Sequence, residues 1–412
     1  MLPARAQQET MTEGEWADMP EELFEKVLEL LQAAGQSEPQ EGGFGFSQTT
    51  ATVRLVCAGW KAVHDAMVKR LVLRDQTTSD TSMPLRRFPA VRELSLPAHS
   101  LAAHQAELQK LSALTSLDLD CDDYLTAADG QALRSLATLT TLNVHIAYCN
   151  GGILEEESTT ELIRALEGLP GLTSLSHGET TDSLVEALSG RTAITALSLL
   201  GHVSDTAVRR ICSSFPALAS LTLASDTATA TALVGLRNLT TLTSLTLHLG
   251  DETLEDYDEN PLAPQVTDEV MRSLACLVHL THLHVDDCWS PATNVGMQEL
   301  GALTRLTYLS IRLWNTVSDE GLWTLRNLTG LSSLRLYGQM IQGTAARAWS
   351  SLTGLTSLEL WWGLTDEGAR AVSTLASLTS LDLVACGVTS VGVRAVSNLP
   401  ALTSLSLSGC EE

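Results

Sequence analysis

Two histidines and an aspartate alternate along one short stretch, His282-x-His284-x-Asp286. In a strand, alternate residues point to the same side, so these three side chains would share one face. Imidazole and carboxylate groups are ligands for Zn²⁺ or Fe, and the triplet therefore raises the possibility of a metal site. Three ligands on one strand with no evident fourth do not define such a site. The triplet is instead interpreted as part of a surface that binds a partner.

Aromatic and charged residues continue this pattern through the following eighty residues. At intervals of about 24 residues, the same strand positions carry residues that dominate the energy of protein interfaces. The predicted substrate-binding set is His282, His284, Asp286, Tyr308, Arg312, Arg335, Tyr337, Glu359 and Trp361. No HExxH motif, Gly-rich phosphate loop or nucleophile motif accompanies them, so we predict a binding protein rather than an enzyme, with no cofactor.

The element that positions these residues is a repeated hexamer, L-x-x-L-x-L. "LTSLDL" stands at 114–119 and again at 378–383, and thirteen full or near copies begin between residues 91 and 402. Most copies are 22 to 26 residues apart, a period typical of solenoid proteins. Two longer spacings are interpreted as loop insertions, at 145–161 and 248–265.

One repeat, residues 378–401, shows what each copy does. Leu381 and Leu383 alternate with polar residues, which indicates a short strand with one buried face. Apolar residues at helical spacing follow, and Thr389 or Ser390 is the expected N-cap. The side chains at positions three, five and seven of each copy, counted from its first leucine, point away from the helices. We call the surface formed by those positions the outward face.

These motifs resemble the leucine-rich repeat family, in particular the cysteine-containing type whose helices begin with a T-D-E-G pattern. Here that pattern reads "VSDEGLWTL" at 317–325, "LTDEGARAV" at 364–372 and "VTDEVMRSL" at 266–274. The resemblance covers residues 91–412, in about thirteen repeats. It implies an α/β solenoid, a horseshoe with a parallel sheet on the concave side and helices on the convex side.

The N-terminal part of the chain does not repeat. "WADMPEELFEKVLELLQAA" (16–34) predicts a helix with a wide apolar face, and "VRLVCAGWKAVHDAMVKRLVLR" (53–74) begins a second helix. A loop insertion at 35–52 joins them, and residues 1–15 are expected to be a disordered tail. Short helices with excess apolar surface could cap the end of the solenoid.

The pair of segments also resembles the F-box, whose pattern is an L-P dipeptide, an amphipathic helix and then R-L-V-C-x-x-W. This F-box-like module would span residues 16–90, with Met19 in place of the usual Leu. The resemblance implies a substrate-recognition subunit of an SCF-type ubiquitin ligase, which binds a Skp adaptor and a cullin complex. The adaptor contacts that it implies are Met19, Pro20, Leu23, Val27, Leu28, Leu31, Leu55, Val56 and Trp60. The alternative is an interaction scaffold without a ligase role.

The amino-acid composition disfavours some classes of binding partner. The net charge is −24, from 25 basic and 49 acidic residues, which disfavours nucleic acid and anionic membrane as partners. No signal peptide or apolar run of membrane-spanning length is apparent, so a cytoplasmic or nuclear location is expected. The sequence stops after the strand of the last repeat, and we expect Leu405 and Leu407 to lack a covering helix there.

Overall fold

The computed structural model describes most of the chain from residue 65 onward. The described residues are 65, 67–73, 85–121, 125–146, 155–178, 180–201, 203–225, 227–249, 266–287, 291–312, 317–338 and 343–410. They divide into two compact units, one within Met1–Gly151 and Arg164–Leu172 and the other within Gly152–Ile163 and Thr173–Glu412. The predicted tail at 1–15, the loop at 35–52 and all nine predicted adaptor contacts lie outside the described residues.

Parallel strands follow one another in chain order within each unit. The first unit contains β1 (Arg70–Val72), β2 (Glu93–Pro97), β3 (Ser116–Cys121) and β4 (Thr141–Ile146), each paired in parallel with the next. The described residues of the second unit form ten strands. They are β5 (Ser174–His177), β6 (Ala196–Leu199), β7 (Ser220–Ser225), β8 (Ser244–Leu249), β9 (His282–Asp287), β10 (Tyr308–Arg312), β11 (Ser333–Tyr337), β12 (Ser357–Trp361), β13 (Ser380–Val384) and β14 (Ser404–Ser408).

Short helices connect successive strands. In chain order the α-helices are α1 (Gln105–Leu108), α2 (Ala127–Arg134), α3 (Glu155–Leu166), α4 (Asp182–Leu188), α5 (Asp205–Ser214), α6 (Ala230–Leu233), α7 (Asp268–Ala275), α8 (Asn294–Leu300), α9 (Asp319–Leu322), α10 (Gly343–Ala348), α11 (Asp366–Val372) and α12 (Ser390–Val396). Single turns of 3₁₀ helix occur at Leu85–Arg87, Ala98–Ser100, Val234–Asn238, Trp323–Asn327 and Trp349–Ser351.

The leucines of the hexamer build the core. In β13, Leu381 and Leu383 are buried, and so is Leu378 just before the strand. The residues between them are half-buried and face the other side of the sheet, as the alternation predicts. A strand followed by a helix cannot bury its apolar face alone, so the repeats stabilise one another by stacking. The fold is an α/β leucine-rich repeat solenoid, as predicted.

The T-D-E-G pattern ties neighbouring helices together. In α7, the Asp268 carboxylate accepts hydrogen bonds from the backbone N–H of Thr293 (2.7 Å) and Gly296 (3.0 Å) at the start of α8. In α11, Asp366 receives the same bonds from Thr389 (2.9 Å) and Gly392 (3.0 Å) at the start of α12. These bonds satisfy N–H groups that the first turn of a helix leaves without partners.

The N-cap prediction at the last described helix is confirmed. The Thr389 hydroxyl accepts a hydrogen bond from the backbone N–H of Val391, in the first turn of α12. The start of α12 is therefore held from its own repeat by Thr389 and from the preceding repeat by Asp366.

The structure departs from two details of the prediction. Residues Arg70–Val72 form β1, paired in parallel with β2, although the sequence reading placed them in the second helix of the module at 16–90. The sheet thus begins one strand before the predicted boundary at residue 91. The segment "VKRLVL" (68–73) is a further copy of the hexamer with Val68 at its first position, 23 residues before the copy at 91.

The second departure is at the first predicted insertion, 145–161. Its first two residues complete β4, and its last seven belong to helix α3. At the other end of the described chain, Leu405 and Leu407 of β14 are each 38% exposed, as expected. Within the described residues, no helix is both long and apolar enough to cross a lipid bilayer.

Candidate functional site

The nine predicted substrate-binding residues lie on four consecutive strands of the second unit, β9 to β12. We call this set, His282, His284, Asp286, Tyr308, Arg312, Arg335, Tyr337, Glu359 and Trp361, the strand patch. The register places like positions side by side. His284 pairs with Ser310, Ser310 with Arg335 and Arg335 with Glu359, while Arg312, Tyr337 and Trp361 form the neighbouring row.

Ion pairs cross between adjacent strands of the patch. Arg312 Nε lies 2.8 Å from Asp286 Oδ1, and Arg335 Nε lies 3.0 Å from Glu359 Oε2. The Asp286 and Glu359 side chains are each only 18% exposed, so these pairs are less screened by solvent than the other ion pairs of the described surface. Each strand of the patch is therefore linked to its neighbour by side chains as well as by backbone pairing.

Glu359 is the centre of an aromatic cluster. Its Oε1 accepts hydrogen bonds from the Tyr337 hydroxyl (3.3 Å) and from Trp361 Nε1 (2.8 Å), and its Oε2 faces Arg335. The Tyr337 and Trp361 rings are 5.3 Å apart between centroids. Burial and the Glu359 carboxylate raise the pKa of Tyr337, so the hydroxyl stays protonated and can donate its bond.

A second set of stacked side chains lies on β9 and β10. The His282 and Tyr308 rings are stacked, with centroids 5.5 Å apart and planes 13° from parallel. The Arg335 guanidinium lies 5.8 Å from the centre of the Tyr308 ring, within the range of a cation–π contact. Ser310, an outward residue that lies between His284 and Arg335 in the register, is fully buried.

The structure therefore brings all nine predicted residues into one connected surface. Every member contacts another member or a residue beside it through an ion pair, hydrogen bond or ring contact. The strand patch is organised before any partner arrives, which lowers the side-chain entropy that binding would cost. Its role as a binding site stays a prediction.

Sequence reasoning missed two residues beside the patch, His248 on β8 and Asp382 on β13. His248 was placed at the start of the predicted insertion 248–265. It is in fact the seventh residue of its repeat, counted from the first leucine of the hexamer, and it is aligned with Asp286, the seventh residue of the next repeat. Asp382 is aligned with Glu359, and its Oδ1 is buried with no hydrogen-bond partner among the described residues. Both residues would have been found if positions three, five and seven had been compared in every repeat, including the repeats on either side of the patch.

The three residues of the predicted histidine triplet, His282, His284 and Asp286, do not cluster together in the structure. The ligand atoms of His248, His284 and Asp286 all lie within 4.8 Å of one another, whereas His282 turns to stack on Tyr308. Burial, and then the charges of His248, Arg335 and Arg312, lower the pKa of His284 to about 4. His284 is accordingly neutral at physiological pH, the form in which imidazole binds metal ions.

Three tryptophans near the patch play different parts. Trp349 is fully buried and donates from Nε1 to the Leu322 carbonyl. Trp323 is 45% exposed in the 3₁₀ turn after α9, with the Arg326 guanidinium 3.5 Å from the centre of its ring. Trp362, next to Trp361, is 50% exposed and extends the aromatic surface past the end of β12.

No family model and no curated protein sequence matches the chain. Solved structures do share its fold. A chain of the yeast Rad7–Elc1 complex is 17% identical over 95% of this chain and 94% of its own, with a TM-score of 0.54. An internalin from Listeria monocytogenes, InlF, is 19% identical over 89% of this chain and 96% of its own, with a TM-score of 0.51. Identities this low establish a shared leucine-rich repeat architecture and nothing finer.

Proposed function

We propose that this protein is a non-catalytic recognition protein that holds a protein partner on the strand patch. The observation that carries the proposal is the cluster of Tyr337, Trp361 and Arg335 around Glu359, because Tyr, Trp and Arg supply most interface hot spots. Fixed partners on neighbouring strands hold these side chains in place. A partner would therefore meet a rigid surface, which favours affinity.

We further propose that this recognition serves an SCF-type ubiquitin ligase. The F-box resemblance at residues 16–74 supports this role, since the implied adaptor contacts precede the repeats in the chain. The fold shared with a chain of the Rad7–Elc1 complex is compatible with a repeat protein that works beside a second subunit. The protein would perform no chemistry and would raise the local concentration of substrate beside the transferring enzyme.

A pull-down with a Skp adaptor tests the ligase role. The full chain should retain the adaptor, and the variant Trp60→Ala should lose it, because Trp60 is an implied contact. Trp323→Ala is a matched control, since it removes an exposed tryptophan from the repeats. A folded full-length chain that retains neither adaptor nor cullin complex would rule the ligase role out and leave the scaffold alternative.

Proximity labelling with the full chain tests recognition on the strand patch. Proteins labelled by the wild type and lost with Trp361→Ala, but kept with Trp323→Ala, are partners of the patch. The proposal fails if the labelled proteins are the same for all three chains. This comparison does not depend on the adaptor, so the two levels of the proposal can fail separately.

A further inference from the structure

The outward residues of β8 and β9 form a compact triangle. The register aligns His248 of β8 directly beside Asp286 of β9, and His284 lies two residues before Asp286 on the same face. The two imidazole rings meet edge to face, with centroids 5.1 Å apart. One ligand atom from each of the three side chains lies within 4.8 Å of the other two. Atoms at such separations can reach a common ion after small side-chain rotations.

His284 has an unused ligand atom at this point. Its Nδ1 is buried and has no hydrogen-bond partner among the described residues. Leaving a buried polar atom without a partner is energetically unfavourable, so a group that satisfies it would be stabilising. The other two side chains of the triangle offer an imidazole nitrogen and a carboxylate oxygen, and this set of ligands is typical of a transition-metal site.

We propose that His248, His284 and Asp286 bind a divalent transition-metal ion of the Zn²⁺ class. Two imidazole nitrogens and one carboxylate oxygen are the three protein ligands found in open zinc sites, where the fourth position is left to water or another molecule. Oxygen-preferring ions such as Mg²⁺ and Ca²⁺ would bind less well, because two of the three ligands are nitrogens.

The neighbouring arginines shape this site without filling it. Arg312 Nε lies 2.8 Å from Asp286 Oδ1, which leaves Oδ2 for an ion. Carboxylates that bind metal ions commonly receive such a contact from a second protein group on their other oxygen. Arg312 and Arg335 are both close enough to influence His284, and their positive charge opposes a cation. Asp286 offsets part of that charge. The site is therefore expected to bind more weakly than a four-ligand structural zinc site.

Calorimetric titration of the full chain, without a histidine tag, tests the proposal with Zn²⁺ as the probe. We expect one ion per chain for the wild type. Because changes behind metal ligands already cost roughly 10- to 100-fold in affinity, His248→Ala, His284→Ala and Asp286→Asn should each cost at least that. Co²⁺ titration adds visible absorption bands whose intensity reports the coordination number of the bound ion.

His282→Ala is the matched control, because His282 lies on the same strand but stacks on Tyr308. It should bind Zn²⁺ as the wild type does. Circular dichroism confirms that each variant is folded, and His248→Ala, which removes no ion pair of the patch, decides the case if the β9 variants are not. The proposal is overturned if the wild type binds no Zn²⁺, if His248→Ala binds it unchanged, or if His282→Ala loses it. It does not depend on any protein partner.

Discussion

Asp268, in the first turn of α7, lies 2.7 Å from the backbone nitrogen of Thr293, the N-cap residue of the next helix. Its other oxygen accepts a bond from the Thr293 hydroxyl, also at 2.7 Å. The same relation joins Asp205 to Thr229 and Asp366 to Thr389. An aspartate in the first turn of these helices thus links its repeat to the next, in addition to the stacking of leucines.

Asp268→Ala should weaken the link between the repeats of α7 and α8 and so destabilise the protein. The variant removes the acceptor for two N–H groups and one hydroxyl, and losing a helix cap typically costs about 1 kcal/mol. Urea unfolding measures the change in the free energy of unfolding. Glu269→Ala controls for the loss of an acidic charge in the same helical turn and should change stability by less than half as much. Equal effects from the two variants would contradict the linking role.

The contribution of Asp268 should depend on pH. Burial alone would raise its pKa, but bonds from Thr293 and Gly296, with the charge of Arg272, lower it below 3.8. A carboxyl group whose pKa falls on folding stabilises the protein above its unfolded pKa and loses that effect as pH drops through the folded value. The stability difference between wild type and Asp268→Asn should therefore be constant above pH 3.8 and shrink below it. A difference that does not change with pH would contradict this.

Gly296→Ala should be destabilising although alanine favours helices by about 1 kcal/mol. A Cβ at this position in α8 would lie 2.6 Å from Asp268 Oδ1 and 3.0 Å from Met271 Cγ. The repeat link would have to open, at an expected net cost of about 1–3 kcal/mol. Gly235→Ala is the control, because its new Cβ would meet only Cys212 Sγ at 3.4 Å. Thermal unfolding should separate the two, and a stabilised Gly296→Ala would show that the link is not required.

The repeats could be predicted from sequence because each strand requires leucines at fixed positions, and those leucines are buried. β1 was missed for a physical reason. Val68 stands where most copies have Leu, and the apolar spacing of residues 53–67 continues into the strand as a helix pattern would. The spacing of the apolar positions predicts this strand better than a leucine at the first position does. Leu71 and Leu73 keep that spacing, and Leu71 is paired with Leu94 of β2.

The strand patch could be predicted in membership but not in contacts. Alternation along a strand assigns side chains to a face, and all nine residues occupy strand positions that alternate with buried apolar residues. The rotamers depend on neighbours. His282 and His284 share a strand face, yet His282 stacks on Tyr308 while His284 turns toward His248. Spacing within one strand contains no information on such cross-strand choices, because they depend on side-chain sizes on the adjoining strands.

The cysteines should differ strongly in reactivity. Burial raises the pKa of Cys212 to about 12 and also raises that of Cys386, whereas Cys276 is exposed. Because the thiolate is the reactive form, Cys276 should be alkylated before Cys212 and Cys386 in the folded protein. Mass spectrometry after brief treatment with iodoacetamide measures this, with urea-unfolded protein as the control in which all three react alike. Early labelling of Cys212 in the folded chain would contradict the burial of the helical core.

Trp361→Ala should reduce binding of a partner of the strand patch by at least 30-fold, which corresponds to the loss of about 2 kcal/mol expected at an aromatic hot spot. Trp361 contacts Tyr337 and Glu359, and its removal leaves the Glu359 carboxylate still paired with Arg335 and Tyr337. The repeats should therefore stay folded, so the loss in affinity would report the missing indole. Trp323→Ala removes a more exposed indole that lies after α9, outside the strands, and should leave affinity unchanged. Calorimetry with the purified partner measures both. If Trp323→Ala weakens binding and Trp361→Ala does not, the partner binds near the helices and the strand patch is not its site.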